Sequence, residues 1–357
     1  MPPKTKNLPL DLNAAFETAT SSSPAQFVWE DIFAASRADD VAQVKLILAA
    51  QPELANAVDG FSDTLLVDAV RQQKHDMVEV LLKASANPDK PGTLQAFAIV
   101  LAVSNKDLRM VTLLLDNKAD PDVKHDFDFT ALMVAAEAGQ EAIAEKLLER
   151  KASKEIADDQ GFTALRIAGM HGHHGMVRLL KKHGAKIDAR DKGGDSLLDV
   201  VIQKRDDRMF DTLMDLGVDY LSGNKTTTDP VKSNTTPVMW AAQADNTYAL
   251  QKLKDKGAPL DTWNAHGMTP LIFSAIEGAG GTAKLLIDWN VPLDPPDPRR
   301  HSARRHAELK GHQHVVNLID NAYGRRIGNG IATLQLGGGE GLDAPVKAKF
   351  KKKGPVQ

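Results

Sequence analysis

A short phrase recurs along this chain at a fixed interval, and that interval constrains the fold more than any other feature. Thr130-Ala131-Leu132 returns 33 residues later as Thr163-Ala164-Leu165, and again as Ser196-Leu197-Leu198. A gap of 40 residues follows, to Thr236-Pro237-Val238. The 33-residue spacing then resumes at Thr269-Pro270-Leu271 and Ser302-Ala303. A period of about 20 to 50 residues marks a stacked array, in which each unit buries its apolar face only against its neighbours. The core of such an array grows in one dimension, so a length of 357 residues does not imply several separate globular domains.

The unit that opens Phe129-Thr130-Ala131-Leu132 displays the pattern most clearly. Thr130 is a candidate helix N-cap, because its hydroxyl can accept a hydrogen bond from an otherwise unpaired N–H of the first turn. The short helix that follows has Ala135 and Ala136 as a small face and is broken at Gly139. A second helix carries Ile143, Leu147 and Leu148 at spacings that share one face. Ala152 and the stretch from Asp158 to Gly161 then lead back out through a turn. Nine such units can be laid out from Trp29 to Ala322.

These units resemble the ankyrin repeat, whose consensus opens T-P-L-H-x-A at a period of about 33 residues. The match continues in Thr163, Leu165, Ala168 and Gly172-His173, in Thr269-Pro270-Leu271 and Ala275, and in Ala307, Gly311-His312 and Val315-Val316. The resemblance covers most of the chain and implies an all-α, ankyrin-like helix-turn-helix solenoid with projecting hairpin fingers. Two departures stand out. Val67, Met133, Arg166, Asp199, Met239 and Ile272 occupy the place of the consensus His. Loss of the hydrogen bonds that this His supplies predicts a less regular array. Arg304 holds the place of a core Leu in the ninth unit, which predicts a cap with one side facing water. The first unit lacks a clear opening finger and reads as the other cap. Residues 1–28 read as a flexible leader, 29–322 as the array, and 323–357 as a Gly-rich and Lys-rich tail.

Composition narrows the function. Apolar residues make up 42% and aromatics only 5%, which suits a core of tightly stacked helices built from Leu, Val, Ile and Ala. The chain has no cysteine, so disulfides, thiolate metal sites and a cysteine nucleophile are excluded. The first 24 residues hold no continuous apolar run, and the longest such run, from Ala96 to Val103, is far too short to span a bilayer. A cytoplasmic location is expected. Charge is uneven: from Pro295 onward there are 12 Lys and Arg against 5 Asp and Glu, whereas the rest carries 32 against 42.

Four features are candidate binding elements. The 40-residue gap places extra residues in a longer finger at 220–235, with Tyr220, Lys225 and Lys232 as candidate contacts. Such insertions map to loops, often on the binding face, although loops also tolerate neutral insertions. Aromatics in the fingers form a second group: Phe127, Phe129, Phe162 and Trp263, with His266 nearby. Phe129 and Phe162 each precede a capping Thr and are expected to pack on a neighbouring finger. Phe127, between Asp126 and Asp128, is the better candidate for an exposed anchor. Third, the basic end comprises Arg299, Arg300, Arg325, Arg326 and Lys351, Lys352 and Lys353. It reads as an anion-binding patch or as a solubilising cap and tail; thin aromatic interleaving makes nucleic acid a poor fit. Finally, His171, His173 and His174, like His312 and His314, crowd single turns. The Gly-His turn of the family accounts for His173 and His312, and no metal or cofactor site is expected.

No phosphate loop, nucleophile elbow or paired metal-binding histidine motif is present, so no catalytic activity is expected. The chain reads as a protein–protein interaction scaffold that binds through a concave face and fingers. The alternatives are an inhibitor or immunity-type protein blocking a partner enzyme, and an accessory subunit of a larger assembly.

Overall fold

The computed structural model describes residues 28–223, 234–293 and 301–328. These residues are all-α, with isolated bridges in place of a sheet. They fall into two compact units, Met1–Lys186 and Ile187–Gln357.

Among the described residues, the first unit holds five helix-turn-helix pairs: α1 Trp29–Arg37 and α2 Val41–Ala50, α3 Leu65–Arg71 and α4 His75–Lys83, α5 Ala98–Ser104 and α6 Leu108–Asp116, α7 Ala131–Glu137 and α8 Glu141–Glu149, and α9 Ala164–Met170 and α10 His174–Lys182. The described residues of the second unit form four: α11 Leu197–Lys204 and α12 Asp207–Asp215, α13 Pro237–Gln243 and α14 Thr247–Asp255, α15 Pro270–Glu277 and α16 Gly280–Asp288, and α17 Ala303–Lys310 and α18 Gln313–Gly328.

The repeated phrase is a capping device. Thr64, Thr130, Thr163, Ser196, Thr236, Thr269 and Ser302 each precede the first helix of a pair, and each side chain accepts from the amide three residues on. Between the ends of each unit the first helix of a pair is packed between neighbours, and nearly every side chain on it is buried. In α7, Ala131, Leu132, Met133, Ala135 and Ala136 are all buried. The second helix is only half covered: α8 buries Ile143, Ala144, Leu147 and Leu148 and leaves the rest to solvent. This division follows from stacking, which closes both sides of the inner helix and one stripe of the outer.

The missing consensus His does not leave a gap. Val67, Met133, Met239 and Ile272 are fully buried there and supply apolar packing instead. The two charged substitutes are buried as well and find partners. The Arg166 guanidinium lies 4.7 Å from the Phe162 ring centroid. The Asp199 carboxylate accepts from the Ser196 amide and hydroxyl, both at 2.8 Å, and from Arg190 at 3.0 Å. Burial pushes the Asp199 carboxyl up, and the hydrogen bonds from Ser196 and the charge of Arg190 offset that only in part.

A second device ties successive pairs together. The carbonyls ending each first helix lack intrahelical partners, and a side chain from the next pair reaches back to them. Lys74 donates to the carbonyls of Ser36 and Arg37 at 2.8 and 2.9 Å, and Asn246 to that of Ile202 at 3.1 Å. His173 meets the Glu137 carbonyl at 2.9 Å and His312 the Ile276 carbonyl at 3.0 Å. A carbonyl only accepts, so Nε2 carries the proton in both rings. The rings pass so close that a Cβ at Gly139 or Gly278 would lie 2.8 or 2.7 Å from a ring nitrogen, and both glycines have positive φ.

The sequence pattern ends the array at 322 and leaves Arg325 and Arg326 in a tail. In the structure α18 continues to Gly328 and carries both residues. Arg326 donates to the carbonyl of Val291, just beyond α16, at 3.0 Å and to that of Ile287, in its last turn, at 3.3 Å, and so fastens the last turns of α18. Arg304 is half-exposed and pairs with Asp320 at 2.6 Å and with Glu308.

Candidate functional site

The fingers are tight hairpins with a common closure. In six of them, an amide five residues before the helix cap donates to the carbonyl one residue before it: Asp59 to Asp63, Gly92 to Ala96, His125 to Phe129, Asp158 to Phe162, Asp191 to Asp195, and Asn264 to Met268. Where the first of these residues is Asp or Asn, its side chain also holds tip amides. Asp59 accepts from Phe61 and Asp63, Asp158 from Gln160 and Phe162, and Asn264 from His266 and Met268. Side chains of this type form such local turns readily.

Gly92 and His125 offer no such acceptor, and their fingers turn differently. Leu94 and Gln95 in one, and Phe127 and Asp128 in the other, have φ between 55° and 63°. Two successive left-handed residues make a tight turn that favours Asn and Gly. A large side chain there costs about 1–2 kcal/mol per residue.

The tips carry the most exposed large apolar side chains of the first unit. Phe61, Leu94 and Phe127 are 81%, 86% and 75% exposed, and each stands three residues before its cap position, Thr64, Phe97 or Thr130. Sequence reading found only Phe127. The signal was present in the spacing, since 61, 94 and 127 are 33 apart. It was hidden because the third unit begins at Phe97, which lacks the capping hydroxyl that marks the others.

Neighbouring fingers hold these tips in place. The Phe61 carbonyl accepts from the Thr93 hydroxyl at 2.6 Å, and the Phe127 carbonyl from the Asp159 amide at 3.1 Å. Asp63 accepts from the Thr93 amide at 2.8 Å and pairs with Arg71. Burial would raise the Asp63 carboxyl, but Arg71 and the Thr93 amide together hold it below the usual carboxylate value. Burial pushes the His125 imidazole down.

The other expected contacts are placed as follows. Phe129 is half-buried with its ring edge-on to His125 at 6.0 Å. Phe162 is half-buried under Arg166. Tyr220 donates its hydroxyl to the Lys256 carbonyl at 3.1 Å, which anchors the foot of the long finger. That foot is narrow: a Cβ on Gly223 would sit 2.7 Å from the Asn234 backbone. Lys225 and Lys232 lie outside the described residues, as do Arg299, Arg300, Lys351, Lys352 and Lys353. Trp263 is 64% exposed, and His266 is half-buried in the same finger. Trp263 borders a hollow of about 80 Å³ lined by Leu260, Leu271, Val291 and Pro292. That is far below the few hundred Å³ of a small-molecule site. Among the described residues, no cluster of three or more His, Asp or Glu is arranged to hold a metal, and no helix is long and apolar enough to cross a membrane.

No curated protein matches this chain. Among solved structures, the crystal structure of the human ASB11 ankyrin repeat domain is similar, with 21% identity and a TM-score of 0.52 over 62% of this chain and 96% of that one. At that identity the likeness speaks for the fold alone. A family model for ankyrin repeats, three copies long, matches residues 99–191 and 198–297. With its capped helix pairs, small-residue inner helices and hairpin fingers, the chain belongs to the ankyrin-repeat family.

Proposed function

We propose that this chain is a protein-recognition module that grips its partner with its fingers. Ankyrin repeats are in general protein–protein interaction modules and typically non-enzymatic scaffolds. One observation carries the reading here. The helices leave no large apolar side chain more than 56% exposed, whereas the fingers expose Phe61, Leu94, Phe127 and Trp263 to 64% or more. Exposed aromatics of this kind are what interfaces use as anchors.

The test is affinity capture with the full chain and with its Phe127→Ser and Trp263→Ser variants. At least one variant is expected to lose proteins that the parent retains, with an unchanged melting temperature. Capture of the same set, undiminished, by both variants would count against the reading.

A further inference from the structure

The tips of the first unit form a ruler. Phe61, Leu94 and Phe127 occupy the same position in three consecutive fingers, and Gln160 ends the row. Stacked helices lie about 8–10 Å apart, so successive tips stand about 10 Å apart. In a helix, seven residues rise about 10.5 Å and return to nearly the same face. In an extended strand the same distance takes about three residues, and successive contacts would then point to opposite sides. The spacing therefore suits a helix and not a strand.

The surroundings give the sign of its charge. Asp126 and Asp128 are exposed on either side of Phe127, and Asp159 is half-buried beside it. The cation Lys124 is 3.5 Å from Asp128 and offsets one of them. Leu94 and Phe127 are also held on left-handed backbone where Asn or Gly would be favoured. Strained, solvent-exposed apolar residues in register are a feature that folding alone does not call for.

Building on the protein-recognition reading above, we infer that this row docks an amphipathic, basic helix of a partner protein, with apolar residues at i, i+7 and i+14. The tips meet the apolar stripe, and basic residues flanking it face Asp126 and Asp128.

The probe is a labelled, lysine-rich helical peptide of about 19 residues whose three leucines stand seven apart. A control of equal composition has them six apart, which turns each about 120° around the helix. A second control replaces lysine by glutamate. Binding to the full chain is followed by fluorescence anisotropy. The in-register basic peptide is expected to bind at least about tenfold more tightly than either control, and Phe127→Asn to weaken it about tenfold. The Phe61→Ser/Leu94→Ser/Phe127→Ser variant is expected to abolish binding. Phe127→Asn relieves backbone strain, so its loss of binding cannot be ascribed to misfolding. Equal affinity for the two registers, or binding that survives the triple variant, overturns the assignment. Uptake by phosphatidylcholine vesicles in place of the peptide overturns it too, since the row would then be a membrane contact. A chain that ignores all three peptides yet still captures a protein through Trp263 loses this inference and keeps the recognition reading.

Discussion

The two units use one scaffold and differ in what their fingers present. In the first, three successive tips carry a large apolar side chain at one position. In the second, the same position is Gly193 in one finger and His266 in another, and the exposed aromatic, Trp263, stands elsewhere. The bases contrast as well. Asp63 in the first unit is tied to a half-exposed Arg71, whereas Asp199 in the second is fully buried with Arg190 and Ser196. Caps, inner-helix alanines and carbonyl ties recur in both because stacking demands them. Stacking places no demand on the tips, so tips are where the units diverge and where binding specificity can be written.

The largest test of this contrast is at the bases. Asp199→Ala leaves the buried Ser196 amide without its acceptor and takes the carboxylate from Arg190, which is partly exposed and keeps the Gly194 carbonyl, and is expected to cost about 3 kcal/mol in urea unfolding. Asp63→Ala, beside a half-exposed arginine, is expected to cost about half as much. Equal losses would erase the distinction between the two bases. Next come the shared ties. Gly139→Ala and Gly278→Ala each force a left-handed alanine against a histidine ring and are expected to cost about 2–3 kcal/mol. Gly172→Ala meets only the backbone penalty, about 1 kcal/mol, because nothing lies within 4 Å of its Cβ.

Acidification separates the bases by sign. The folded Asp63 carboxyl lies below its ordinary value. Its stabilisation is present above that ordinary value and lost as pH falls through the folded one. The folded Asp199 carboxyl lies above its ordinary value. It takes up a proton first, so its contribution grows as pH falls through the raised value. Denaturation curves against pH should therefore show Asp63→Asn removing part of the acid loss and Asp199→Asn removing an opposing gain. His125 acts at milder pH: burial lowers it, so stability declines as pH drops below the ordinary histidine value, and His125→Gln should flatten that slope.

The smallest effects belong to the tips. Phe127→Asn is expected to raise stability by about 0.5–1 kcal/mol, because Asn accepts left-handed backbone. Phe61 does not have positive φ, so Phe61→Asn should stay within about 0.5 kcal/mol. Calorimetry on the two variants would reveal whether strain distinguishes the tips. A destabilised Phe127→Asn would mean that the ring packs inward.

Much of the architecture could be read from the chain because local chemistry sets it. A Thr or Ser three residues before a helix amide caps a helix wherever it stands, and the 33-residue interval between such caps requires stacking. The loss of the consensus His pointed to irregularity, but Met133 and Asp199 show how packing or a carboxylate takes its place. The row of exposed tips is masked in the sequence, since Phe97 hides the register of its finger.

The sequence by itself determined the repeat, its caps and its small-residue core, because these depend on residues a few positions apart. Tertiary structure decided which apolar side chains remain outside. Phe129 and Phe162 find a ring or a guanidinium to lie against, whereas Phe61, Leu94 and Phe127 do not. It also decided that α18 runs on to Gly328, because the carbonyls that hold Arg326 belong to residues 35 and 39 positions earlier.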